Sequence, residues 1–368
     1  MKCVEDESCV PPGFPSYLTG PKIWDTAAYT ENPDLYVCNL NEEDNMYIEE
    51  ALRHFKDLNL ARGFISRETF PLPETLSNKL KAISNSVYQG RGFEVLRGLK
   101  PEKYDEEENL LVFAGVTSHV APKRSHTIGH IYDATKDKSL KGTLAPPAMP
   151  IAMAFHCDLD GGDIVAMYAQ ELAAEGGEHV LCSFWQVYND MVAANSSALR
   201  VLAEPFPFEL IDKSTDKPYH ISRPIMTVSQ SRVLVHFVKT LLTGSLYVPR
   251  SNSAPPLTEA QSFAVQDLIT ALNSRPLPLT QVRGDVVFIN NMAVLHARNA
   301  FVDRENATRH ILRLYLADPE LSWEDSTVDT SSAKKVCSDM HIGPMSQRYE
   351  TKSEIRAKGF FSPQCHHD

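Results

Sequence analysis

The run Phe155-His156-Cys157-Asp158 carries an imidazole and a carboxylate two residues apart. In a strand, successive side chains point to opposite faces, so this spacing sends His156 and Asp158 one way and Cys157 the other. These two groups are two thirds of a 2-His-1-carboxylate triad, which holds iron(II) with positions left open for oxygen chemistry. The spacing is weak evidence alone, because His366-His367-Asp368 repeats it in a terminal tail. A second histidine has to come from elsewhere. His296 is the best candidate: it follows an apolar run and is bracketed by Asn290-Asn291 and Arg298-Asn299. A lone histidine in such a place is more often structural, so its company decides. Further along, Arg309 and Arg313 stand four apart, which puts both guanidiniums and Ile311 on one strand face. Arginine is suited to planar, bidentate recognition of a carboxylate, and two on an inward face are costly to bury without anionic partners.

The elements that must position these groups follow from periodicity. Residues 1–40, rich in Pro, Gly and Asp, are expected to form an irregular arm. Tyr47, Ile48, Ala51, Leu52 and Phe55 recur at helical spacing from Asn41 onward, and a second helix follows Pro73 and ends near Gly90. Gly92 to Leu99 alternates as a strand, and a helix is expected over Tyr104–His119. Lys123–Pro150 is loop-rich. Past His156, strands are expected at 164–169, 180–184, 206–211, 225–228 and 232–238, with helices at 186–202 and from Thr258 to Pro276. Val286–Ile289, Val294–His296 and Arg309–Leu316 complete the strands. Many short strands with helices mainly in the first third predict a mainly β chain with added helices, built on a double-stranded β-helix (jelly-roll) core. The expected division is an arm with helices over 1–90, a catalytic domain over 91–321 and a C-terminal tail over 322–368.

Composition narrows the function classes. The chain has 368 residues, is 43% hydrophobic, and carries a net charge of −11 with no Lys/Arg block, which argues against nucleic acid or an anionic membrane as partner. Seven cysteines without a C-x-x-C pair read as free thiols in a reducing compartment. No apolar leader follows Met1, and the longest mostly apolar run, 144–155, is broken by Pro146, Pro147 and Pro150, so a cytoplasmic protein is expected. A homo-oligomer is left open.

The pieces together resemble the taurine dioxygenase-like family of iron(II)/2-oxoglutarate-dependent oxygenases, closest to its fungal branch, many of whose members act in secondary metabolism. The resemblance runs from about Gly92 to Trp323. It rests on Phe155-His156-Cys157-Asp158, Gly176-Gly177-Glu178 with Ser183, Gly284-Asp285 with Phe288-Ile289-Asn290-Asn291, Leu295-His296-Ala297-Arg298, and Arg309-His310-Ile311-Leu312-Arg313. It implies iron(II) held by His156, Asp158 and His296, with 2-oxoglutarate as co-substrate and dioxygen as oxidant. It further implies that Arg309 holds the distal carboxylate of 2-oxoglutarate with help from the Ser183 hydroxyl, and that Arg313 lies near the co-substrate or a substrate anion. One departure stands out: Glu178-His179 replaces the commoner acidic-Thr pair, which puts the hydroxyl ligand in doubt. Asn290 and Arg298 are candidates for orienting the ligands.

The expected substrate is a small, carboxylate-bearing molecule such as an amino acid or biosynthetic intermediate. Hydroxylation, desaturation and oxidative ring closure, including C–N bond formation on an amino acid, are all compatible with the motif. Candidate substrate contacts are Arg313, His130, Phe237, Leu241 and Arg250, with plain packing the competing explanation for Phe237 and Leu241. Two rival readings remain. A zinc hydrolase would use the same ligands but leaves the arginines superfluous. A non-catalytic jelly-roll sensor of a small carboxylate would have little reason to keep all three ligands.

Overall fold

Three helices open on capping boxes, in which a side chain and the N3 residue satisfy each other's backbone N–H. They are α2 (Glu42–Asp57) on Asn41/Asp44, α4 (Glu106–Val120) on Asp105/Glu108, and α8 (Glu259–Asn273) on Thr258/Gln261. The computed structural model describes residues 9–137, 144–159, 161–212, 217–323 and 347–358; His366, His367 and Asp368 lie outside them. The arm is less irregular than expected. It contains α1 (Thr26–Glu31) and a strand, β1 (Val37–Asn39), that pairs in parallel with β2 (Phe93–Arg97).

Two sheets organise the chain. The larger has seven strands. Its path runs β1, β2, β14 (Val286–Asn290), β6 (Ile164–Glu171), β17 (His310–Ala317) and β3 (Lys123–Arg124), with β4 (Gly129–Tyr132) also on β17. The smaller has the order β13 (Leu277–Pro278), β8 (His179–Ser183), β15 (Val294–Arg298), β5 (Met153–His156).

The two-residue strand period sorts side chains into layers. On the large sheet, Ile164, Ala166, Tyr168, Val286, Phe288, Leu312 and Leu314 pack with α2, α3 (Glu74–Tyr88) and α4. Their alternates, Val165, Met167, Ala169, Val287, Ile289 and Ile311, turn inward and meet Leu181 and Val294 of the small sheet. Phe155, Cys182, Leu295 and Ala297, on the outer side of the small sheet, pack with α5 (Phe184–Ala193), α6 (Ala198–Leu202), α8 and the hairpin β9–β10 (Pro205–Asp212, Lys217–Pro224). Both sheets are therefore covered on their outer faces and share one inner space.

Several expectations are corrected here. The single helix expected over 186–202 is two, broken where Asn195 adopts a left-handed φ of 51°. The helix expected over Tyr104–His119 is α4, buried all round from Asn109 to Val120, with its acidic run in the first turn. Phe263, an apolar residue of α8, is 60% exposed, and Ala264 and Val265 are buried instead. Lys123–Pro150 contributes β3 and β4 to the large sheet. No helix among the described residues is long and apolar enough to cross a membrane.

Candidate metal centre and carboxylate pocket

β15 lies antiparallel to β5 with His296 directly opposite His156, and the ring centroids are 4.3 Å apart. Both imidazoles are buried and face the inner space. The His156 Nδ1–H donates to Ala154 O at 2.7 Å, which leaves Nε2 with its lone pair free to ligate. Burial, followed by repulsion from His296, pushes the His156 pKa down to about 3, so the ring is neutral, as a ligand must be.

Asp158 reaches the same point by a route that strand alternation does not supply. β5 ends at His156, and Cys157 leaves the ladder: its N–H donates to Phe237 O at 2.9 Å, and the Phe237 N–H donates to Cys157 Sγ at 3.0 Å. Asn291 then fixes Asp158. The Asp158 N–H donates to Asn291 Oδ1 at 2.8 Å, and Asn291 Nδ2 donates to Asp158 O at 2.7 Å and Gly162 O at 3.0 Å. On the carboxylate, Oδ2 accepts from Tyr315 OH at 2.8 Å and Arg313 Nη1 at 3.2 Å. Oδ1 lies 3.7 Å from His156 Nε2 and 3.5 Å from His296 Nε2. One oxygen is thus anchored by the protein while the other faces the imidazoles. His156, Asp158 and His296 are the group of potential metal ligands found among the described residues, with donor atoms within 4.8 Å of one another. Two imidazole nitrogens and one carboxylate oxygen suit iron(II).

Beside this cluster is a small cavity of about 30 Å³, room for roughly one water, lined by Ile131, Met153, Met167, His179, Arg298, Arg309 and Arg313 together with both histidines. Arg309 is buried and donates through Nη2 to His179 Nε2 at 3.2 Å. A guanidinium only donates, so His179 Nε2 accepts and the proton of the neutral ring sits on Nδ1. Burial and then the Arg309 charge hold the His179 pKa well below its ordinary value. Two donors, Arg309 Nη1 and His179 Nδ1, are buried without an acceptor among the described residues. Burial lowers the Arg309 pKa to about 9. Buried donors without acceptors are costly, and a carboxylate is the group that satisfies such a pair. Gly177 makes room for the guanidinium: at φ 79°, a Cβ there would sit 3.1 Å from Arg309 Cδ and Nε.

The remaining sequence candidates are elsewhere. Ser183 caps α5, accepting from Gln186 N at 3.4 Å and donating to Lys22 O at 2.5 Å, so the β8 side chain at the cavity is His179. His130 is on the far face of the large sheet, because Ile131 takes the inward position; it bonds His310 Nε2 and Glu350 O. Phe237 and Leu241 are packed in the apolar core. Arg250 braces a surface loop by donating to Pro207 O and Pro255 O. Asn290 bonds Val87 O and Met292 N, and Arg298 holds the carbonyls of Pro146, Pro147, Met149 and Ile151. Residues the sequence reading missed are Asn291, Tyr315 and His179. The Glu178-His179 departure was the visible signal for the last.

Known proteins resemble this chain over most of its length. Residues 55–315 match the family model described as Taurine catabolism dioxygenase TauD, TfdA family. The taurine hydroxylase-like protein SAT17 of Stachybotrys chartarum is 30% identical over 319 residues, 83% of this chain and 81% of that protein. Among solved structures, asparagine oxygenase in complex with Fe(II), 2S,3S-3-hydroxyasparagine and succinate superposes with a TM-score of 0.58 at 13% identity, covering 76% of this chain and 93% of that one. The non-heme iron oxygenase OrfP in complex with Fe and alpha-ketoglutaric acid gives 0.56 at 15% identity, over 77% and 94%.

Proposed function

Since this chain belongs to the Taurine catabolism dioxygenase TauD, TfdA family, we propose that it oxidises an unactivated C–H bond of a small substrate at a centre held by His156, Asp158 and His296. Enzyme class and cofactors follow from the family: an iron(II)/2-oxoglutarate-dependent dioxygenase that uses dioxygen. When bound, iron(II) with 2-oxoglutarate and dioxygen supplies the oxidising power, releasing succinate and carbon dioxide.

The chain's own residues supply placement. His156 and His296 offer Nε2, and Asp158 offers Oδ1 because Tyr315 and Arg313 occupy Oδ2. Arg313 therefore serves first as a clamp on Asp158. Arg309 and His179 take the distal carboxylate of 2-oxoglutarate. The supporting observation is the pairing of a three-ligand cluster with two buried, acceptor-less donors lining one cavity. The inner space between two covered sheets favours a double-stranded β-helix core with residues 91–321 as the catalytic unit. Among the described residues, Cys9, Cys38, Cys157 and Cys182 are free thiols, which favours a cytoplasmic setting. The substrate in this reading bears a carboxylate, and the outcome is hydroxylation, desaturation or ring closure.

The test is succinate release from 2-oxoglutarate by the iron-loaded protein under air. Succinate formation that requires iron and oxygen, and is lost in Asp158→Ala, is expected. A folded, iron-loaded protein that makes none contradicts the proposal.

A further inference from the structure

A second cavity of about 330 Å³ adjoins the first, and Met153 and His156 line both. Its walls are the run from Ile151 through β5 to His156, with Pro146, Val238, Lys239, Thr240 and the residues from Gly244 to Tyr247. A cavity of this size matches those that enclose drug-sized ligands. The lining is mostly apolar: Pro146, Ile151, Ala152, Met153, Ala154, Phe155, Val238 and Leu246.

Its charges are one-sided. None of the described lining residues is Asp or Glu; apart from His156 the ionisable groups are Lys239 and the Tyr247 phenol. A free ammonium inside this cleft would have no carboxylate partner among the described lining residues, and an unpaired buried charge is strongly unfavourable. An acidic group would meet Lys239 at the rim. The rim itself offers apolar surface to a ligand, since Leu246 is 89% exposed and Tyr247 is 40% exposed. The rim turn packs against the chain that follows it. Gly244, at φ 68°, sits so close to Arg250 that a Cβ would approach its backbone N to 2.8 Å, and Ser251 beyond it is held by Glu209.

We propose that this cleft takes a substrate with an apolar body and an acidic group but no free amine, such as an N-acylated amino acid or a carboxylic acid lacking the amine. Its acidic end lies at Lys239 and its reacting carbon at the His156 end. This deepens the oxygenase reading and rests on it, and it selects against free amino acids as substrates.

The experiment is calorimetric titration, without oxygen, of the full-length protein loaded with iron(II) and 2-oxoglutarate. The probes are N-acetyl-L-leucine, its methyl ester, L-leucine and L-leucine methyl ester. The two N-acetyl compounds are expected to bind and the two free amines to bind more weakly or not at all. Lys239→Gln, at an exposed position, should weaken N-acetyl-L-leucine roughly two- to fivefold and leave its ester unchanged. Equal or tighter binding of either free amine overturns the proposal, as does no binding by any of the four, or an unaltered response in Lys239→Gln. The visible band of the iron–2-oxoglutarate complex, read in the same sample, separates the two layers. A band with free amines preferred sinks only the substrate class, whereas no band sinks the oxygenase reading.

Discussion

Removing the Asn291 side chain should loosen Asp158 without touching a ligand. The amide accepts from the Asp158 N–H and donates to Asp158 O and Gly162 O, the first two in buried surroundings and the third part-buried. Three bonds at about 1 kcal/mol each put the stability loss of Asn291→Ala near 3 kcal/mol, less where water enters the gap. Partners behind a metal ligand typically account for about 10–100-fold in metal affinity, and Asn291 sets the backbone from which the carboxylate projects. Asn291→Asp preserves the volume but turns both donor contacts into oxygen facing oxygen, so its iron affinity should fall at least as far. Urea unfolding of the metal-free protein reads the first effect, and iron(II) titration in the presence of 2-oxoglutarate reads the second. Wild-type iron affinity in both variants, with an unchanged urea midpoint, would refute the argument that Asn291 positions Asp158.

Other expectations follow from the same contacts. Arg309→Lys replaces a planar fork by a point charge and abandons the His179 contact; the KM for 2-oxoglutarate should rise about tenfold or more, measured by succinate release. His179→Ala removes the Nδ1 donor and should raise the same KM while leaving iron affinity near wild type. His130 is pushed down to about 4, chiefly by burial, so the unfolded chain takes up its proton first as pH falls. Its contribution to stability is full above pH 6.5 and is lost progressively toward pH 4. Because His130 donates to Glu350 O, amide exchange in residues 347–358 should accelerate through that window, and His130→Gln should flatten the response.

What the sequence made legible were the features encoded locally. His156, His296 and the two arginines announced themselves because period-two alternation and residue type carry the signal, as did the capped helices. The placement of Asp158 was read correctly for the wrong reason: a departing chain end pinned by Asn291, not a continuing strand, brings it to the histidines. Ser183 misses the cavity because of its place along β8, not because of the face it points to. Ser183 and His179 share the inner face, but Ser183 pairs with Val294 and His179 with Arg298, so the two lie at opposite ends of the strand. His130 fails for a different reason: it is one residue from the inward Ile131 and thus on the other face of the sheet. The break at Asn195 and the all-round burial of α4 depend on tertiary packing that no local window records.

The most direct test of the central claim is anaerobic titration of the metal-free protein with iron(II) and 2-oxoglutarate, followed by visible absorption. Chelation of iron by the keto acid gives a metal-to-ligand charge-transfer band. The account predicts the band in the wild type, its loss in His156→Ala and His296→Ala, and a higher 2-oxoglutarate requirement in Arg309→Lys. A folded wild-type protein that binds iron(II) yet gives no band, or a band that survives both histidine substitutions, contradicts it.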